Sequence, residues 1–200
     1  MRIYNIIKST TVEGPGKRFC IWVQGCSKHC KSCFAKETWD FDGGIELSVE
    51  EIFAQIKEQK GIEGVTFLGG EPFEQVQELA QLSKLVKSIG LSIVCFTGYT
   101  IDELKNKNDK VINKFIGYID LLIDGGFEIE NLDYSRPWVG SSNQRFIYLT
   151  DRYNDKEVSK YKNKIEIHLD KNGGFEINGM GNFKELRDNF CLQLTKNNVK

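Results

Sequence analysis

The segment FCIWVQGCSKHCKSCF (residues 19–34) joins an apolar run to a loop that carries Cys26, Cys30 and Cys33. Its first half is rich in β-branched and aromatic residues and is closed by Gly25, the pattern of a strand buried on both faces. Four further runs have the same form: GVTFLGG, LSIVCFTG, YIDLLIDGG and QRFIYLT. Helical patterns lie between them. One covers 48–60, opened by a capping box of Ser48 and Glu51, with Val49, Ile52, Phe53 and Ile56 on one face. A second covers 75–89, with Val76, Leu79, Leu82, Val86 and Ile89 at helical spacing and Gly90 placed to end it. A third covers 101–115 and is broken near the polar KNKNDK.

Alternating strands and helices imply right-handed crossovers and a mostly parallel sheet, an α/β fold that is either open or curled into a partial barrel. In such sheets the chemistry sits at the carboxyl ends of the strands. GCSKHC follows FCIWVQ, GGEP follows GVTFL, TGYT follows LSIVCF and DGGF follows YIDLLI, so four loops are expected to converge on one mouth. After Thr150 the polar DRYNDKEVSKYKNK reads as a helical connector. IEIHLDKNGGFEING then reads as a hairpin turning at Asn172, Gly173 and Gly174, and 183–190 as a last short helix. The expected organisation is a core domain at 1–150 with a C-terminal extension, 151–200, packed on it.

Two hundred residues with 40% hydrophobic content suffice for a core that needs no staples. Lysine plus arginine number 27 against 28 acidic residues. That balance creates no field to hold a phosphate backbone or an anionic membrane, so neither nucleic acid nor membrane is an expected partner. No run of about 18 apolar residues occurs, and MRIYNIIKSTTVEG lacks the regions of a secretory signal. The expected location is the cytoplasm. There six cysteines do not imply disulfides, and the grouping of three favours a metal site.

Three thiolates wrapped by one loop can surround one inorganic centre. Iron–sulfur clusters commonly use four cysteines, and an open position at a metal is where substrate binds. Three cysteines therefore suggest a cluster with one iron left available. Two alternatives stay open: a structural zinc with His29 as fourth ligand, and Cys20 as a fourth cluster ligand, although Cys20 lies in an apolar strand pattern where cysteine behaves as a small hydrophobe. Cys95 and Cys191 read as core or surface thiols, and His168 as a strand histidine.

The cysteine loop with Phe34 after it resembles the signature of the radical S-adenosylmethionine superfamily. Within that superfamily, VEGPGKRFCIWVQGCSKHCKSCFAKETWDFDGG (12–44) is similar to the glycyl-radical activating enzymes, above all those that serve the anaerobic ribonucleotide reductase. GGEPF at 69–73, LLIDGGFE at 121–128 and GSSNQR at 140–145 agree with it. The resemblance implies a partial, open (β/α) barrel of the radical SAM type, with a [4Fe–4S] cluster on Cys26, Cys30 and Cys33. It also implies S-adenosylmethionine chelated at the free iron, a 5′-deoxyadenosyl radical, and a glycyl radical raised on the partner. A flavodoxin or ferredoxin is implied as electron donor.

By the same resemblance Gly69, Gly70 and Glu71 hold the methionyl amino group, Phe34 lies against the adenine, and Ser32 and Cys33 add backbone contacts. Thr97, with Gly98 and Tyr99, is expected near the ribose or carboxylate. Asp124 is expected either at the mouth or as a turn residue. GPGKR at 14–18 and GSSNQR either line the entrance for the partner's glycine loop or form tight turns. Hydrogen abstraction needs no acid or base, in keeping with the lack of any triad or carboxylate pair. Roughly fifty residues beyond GSSNQR depart from the short activase pattern. They leave open another glycyl-radical enzyme or a small metabolite as target, and a non-catalytic iron–sulfur or zinc protein remains the rival of another class.

Overall fold

The computed structural model describes residues 1–169 and 173–181. In chain order the elements are β1 (Arg2–Thr10), β2 (Arg18–Val23), β3 (Ile45–Glu46), α1 (Val49–Glu58), β4 (Gly64–Gly69), α2 (Val76–Ser88) and β5 (Ser92–Phe96). They continue with α3 (Ile101–Asn106), α4 (Lys110–Ile116), β6 (Leu121–Asp124), β7 (Arg145–Tyr148), α5 (Asp155–Val158), β8 (Ile165–Leu169) and β9 (Phe175–Gly179). The first seven strands form one sheet in the order β3-β1-β2-β4-β5-β6-β7. Its centre, β2, β4, β5 and β6, is parallel, while β1, β3 and β7 join antiparallel at the margins.

The parallel strands read as unbroken apolar runs because both faces are covered. On one face Ile21, Phe67, Ile93 and Cys95 pack against Ile52 and Ile56 of α1, Leu79 and Leu82 of α2, and Phe115 of α4. On the other, Val94, Leu121 and Ile123 meet Trp138, Val139 and Tyr153. The capping box is present at α1, where Ser48 Oγ accepts from the Glu51 amide and the Glu51 carboxylate accepts from the Ser48 amide at 2.7 Å. The expected break in the third helix falls between α3 and α4, where Asn108 takes a left-handed conformation at φ 54°.

Two readings of the sequence are corrected, and one strand is added to them. The run QRFIYLT forms β7, but as an antiparallel margin strand that is half-buried rather than covered on both faces. β1 does not read as a strand in the sequence, because bulges between Ile3 and Asn5 and between Ile7 and Thr10 break its two-residue alternation. The polar connector after Thr150 is helical only over the four residues of α5. β8 and β9 pair as the expected hairpin. Of the turn expected at Asn172, Gly173 and Gly174, Asn172 lies outside the described residues, as does the helix expected at 183–190. Among the described residues no helix is long and apolar enough to cross a membrane.

The hairpin is tied to the end of β1. Glu166 accepts from Thr10 Oγ1 at 2.5 Å, from the Thr11 amide at 3.0 Å and from Thr11 Oγ1 at 2.7 Å. Asn178 Nδ2 donates to Thr10 Oγ1 at 3.1 Å, and the Gly179 amide donates to Glu13 Oε1 at 2.9 Å. Burial pushes the Glu13 carboxyl up to about 8; the Gly179 amide opposes the shift and the Glu166 charge adds to it. Because the folded value lies above the ordinary 4.5, the neutral acid stabilises the fold at low pH, and this contribution is lost as pH rises through about 8. Thermal midpoints of the anaerobic protein should therefore fall across that range, with Glu13→Gln flattening the decline. A wild-type profile that Glu13→Gln leaves unaltered would refute this assignment.

Candidate functional site

The cysteine loop leaves the carboxyl end of β2, and its first residues are fixed by backbone hydrogen bonds. The Gly25 amide donates to Thr38 O at 2.8 Å, the Cys26 amide to Trp39 O at 3.2 Å, and the Glu71 amide to Gly25 O at 2.9 Å. A side chain at Gly70 would come within 2.3 Å of Gly25 O, and one at Gly69 within 2.7 Å of Trp22 Cα. Both glycines are therefore demanded by neighbouring backbone, whatever ligand they also admit. Left-handed backbone at His29 (φ 45°) and Ser32 (φ 63°), and a turn closed from the Cys33 amide to Cys30 O at 3.1 Å, reverse the chain twice within the loop.

These reversals bring Cys26, Cys30 and Cys33 onto one cavity of about 130 Å³, with Gly69 to Glu71, Thr97 and Gly98, and Gly125 and Phe127 as its other walls. All four loops expected at the strand ends meet here. The sulfurs lie among amide donors: burial pushes the Cys26 thiol up, while the amides of Lys28 and His29 pull it down, and Cys33 Sγ accepts from the Ala35 amide at 3.4 Å.

The donor set can be tested against the two metal readings. A structural zinc on these three cysteines would need the His29 imidazole as its fourth ligand. His29 instead stacks on Trp39, with ring centroids 4.5 Å apart and planes 20° apart. A cubane takes one thiolate at each corner iron, and Cys26, Cys30 and Cys33 on one cavity supply three. Cys20 is buried within β2, with its thiol pushed well up by burial, and does not line the cysteine cavity. Cys95 is buried in β5 among the residues that face the helices. Cys191 lies outside the described residues.

Glu71 is buried and accepts three hydrogen bonds: from Thr97 Oγ1 at 2.7 Å, from the Gly98 amide at 2.8 Å and from the Phe73 amide at 3.0 Å. Burial pushes its carboxyl up to about 7 against these donors. Glu71 and Thr97 thus join the loop after β4 to the loop after β5. The Phe34 ring is 62% exposed and tilts against Phe127 with centroids 5.2 Å apart. Ser32 is exposed at the outer bend of the loop. Tyr99 is flanked by Lys28 Nζ at 4.1 Å and Lys107 Nζ at 3.9 Å from its ring centre.

Asp124 does not face the mouth. It is fully buried and takes Arg145 Nε at 2.9 Å, Arg145 Nη2 at 2.6 Å and the Ile101 amide at 2.7 Å, fixing β7 and the start of α3. GSSNQR pins the DGGF loop, with Asn143 Nδ2 donating to Gly126 O at 2.7 Å and Ser141 Oγ accepting from the Glu128 amide at 3.2 Å. GPGKR precedes β2 and so lies at its amino end, away from the cysteines. Residues 14–17 are a bent segment there, and Arg18 is wholly buried. Gln144 of GSSNQR lines the cavity too, while Lys28 and Trp39 are cavity residues that sequence reading missed, because each is an ordinary loop residue until the loops are brought together.

Three thiols on a loop at the carboxyl ends of a parallel sheet define a single-cluster iron–sulfur protein, and a family model described as 4Fe-4S single cluster domain matches residues 12–147. The chain is 35% identical to the anaerobic ribonucleoside-triphosphate reductase-activating protein of Pasteurella multocida over 151 residues, 71% of this chain and 93% of that one. It is 32% identical to the protein of that name from Salmonella typhi over 153 residues, 72% and 96% of the two chains. For the protein of that name from Enterobacteria phage T4 the identity is 31% over 146 residues, 70% and 89% of the two. The chain belongs to the family of anaerobic ribonucleoside-triphosphate reductase-activating proteins.

Proposed function

We propose that this protein is the activase of an anaerobic ribonucleotide reductase, a radical S-adenosylmethionine enzyme that raises a glycyl radical on its partner. The carrying observation is a cavity at the strand ends lined by Cys26, Cys30 and Cys33 and by no other cysteine among the described residues, in a chain of this family. These three thiolates would hold the [4Fe–4S] cluster. Bound there beside S-adenosylmethionine, the cluster would supply one-electron reductive cleavage of the sulfonium, the chemistry that hydrogen-atom abstraction from the partner's glycine requires.

The protein's part is position and the exclusion of water and stray hydrogen donors. Gly69 and Gly70 bring backbone against the methionyl end. Glu71 and Thr97, hydrogen-bonded to each other, hold that backbone and the Gly98 turn in register, with the carboxylate also available to an ammonium. Phe34, Ser32 and the Cys33 backbone form the adenine side. In this reading the sheet is a partial barrel, 1–150 is the catalytic core with 151–200 as an extension on it, the location is the cytoplasm, and a flavodoxin or ferredoxin supplies the electron.

The test mixes the anaerobically reconstituted, reduced protein and S-adenosylmethionine with the reductase from the same organism and records electron paramagnetic resonance. The expected result is a glycyl doublet together with 5′-deoxyadenosine. Deoxyadenosine without the doublet would overturn the partner while leaving the cofactors; no deoxyadenosine at all would overturn the enzyme.

A further inference from the structure

A second, larger cavity of about 910 Å³ opens from the cysteine site, sharing Leu68, Gly69 and Phe96 with it. One side is Trp22, Leu68 and Phe96, on the face of the sheet turned away from α1 and α2; another is β9 and the residues after it, Glu176 to Gly181. Glu13 and Asn178 line it as well, only 3% and 7% exposed. Each keeps one buried oxygen, Glu13 Oε2 and Asn178 Oδ1, without a hydrogen-bond partner among the described residues. Such groups are costly to bury unless something arrives to pair them.

We infer that this cavity is the seat of the partner's glycine-bearing segment, with the C-terminal hairpin as one wall and with Glu13 and Asn178 pairing the backbone of that segment. The inference rests on the activase reading and assigns a role to the extension. A peptide group offers one donor and one acceptor. Asn178 Oδ1 accepts an amide N–H. Glu13 already uses Oε1 to accept from Gly179, and burial keeps it largely neutral near pH 7, so Oε2–H is left to donate to a carbonyl. The volume of about 910 Å³ is enough for several residues of an extended backbone. The walls shared with the cysteine site keep that backbone beside the place where the radical arises.

The test uses the reconstituted protein and the whole reductase, titrating the reductase and reading both glycyl radical and deoxyadenosine. Asn178→Ala should lower the glycyl radical formed per deoxyadenosine released and raise the apparent KM for the reductase about tenfold. Ile177→Trp, at a lining position exposed enough to accept a larger ring without disturbing the core, should do the same by obstruction. It carries the test if Asn178→Ala folds poorly. Wild-type coupling and KM in both variants would overturn the inference. So would a shifted KM for S-adenosylmethionine with that for the reductase unchanged, since the cavity would then hold the nucleoside. A wild-type protein that releases no deoxyadenosine would bring down the activase reading and this inference with it, whereas a defect confined to the variants bears on the cavity alone.

Discussion

Cys30→Ser should give a folded protein that retains no [4Fe–4S] cluster and releases no measurable 5′-deoxyadenosine. Thiolate is the ligand iron–sulfur clusters require, and a serine hydroxyl stays protonated where a cysteine ionises. With two thiolates left, the loop has no means of closing three corners of a cubane. Cys30 is half-buried on a loop outside the hydrophobic core, so the change should cost less than about 1 kcal/mol of stability. Iron content, visible absorption and thermal melting together check this. Cys20→Ser is the informative partner variant. It places a hydroxyl inside β2 and should cost about 1–3 kcal/mol, yet it should keep its iron. Iron lost from Cys20→Ser and kept in Cys30→Ser would make Cys20 a ligand and remove the open corner on which the mechanism depends.

The largest effect on stability is expected far from the cysteines, at Arg18. Its guanidinium is wholly buried and donates to Val65 O at 2.7 Å, Thr66 Oγ1 at 2.6 Å, Pro15 O at 3.0 Å, Ser92 Oγ at 3.1 Å, Ser92 O at 3.3 Å and Tyr153 OH at 3.3 Å. Tyr153 OH in turn donates to Glu63 Oε1 at 2.6 Å. This network joins the amino ends of β2, β4 and β5 to the segment after β7. Arg18→Ala strands these acceptors in the interior and should destabilise the fold by about 3–5 kcal/mol, lowering the thermal midpoint by on the order of 10 °C. Because the site lies at the opposite end of the strands, iron bound per chain in the cold should stay near wild type. A midpoint lowered by less than about 2 °C would mean that water replaces the guanidinium at little cost.

Elements whose character is local are legible from the residues alone. The α1 capping box needs only Ser48 and Glu51 three residues apart, and the central strands need only continuous apolar runs. β1 hides behind its bulges, and β7 looks like a covered strand because its apolar content matches one although its partner runs antiparallel at the margin. At the site, the three cysteines are legible because one loop carries them at fixed spacing. Glu71 reads as a ligand contact, yet two of its three hydrogen bonds reach Thr97 and Gly98, 26 and 27 residues away along the chain. Asp124 reads either as a turn residue or as a wall of the mouth, and proves to be an anchor for Arg145, 21 residues away.

The sequence by itself determined the alternating α/β order, the strand ends that carry the loops and the three-thiol loop, because each depends on neighbours along the chain and on side-chain periodicity. Only the tertiary structure decided which polar groups are used up in holding the scaffold, where GPGKR lies relative to the cysteines, and that the C-terminal hairpin meets the sheet to leave a cavity with unpaired oxygens. Those properties depend on pairs distant in sequence and on the burial they share, and no spacing along a chain encodes a desolvation.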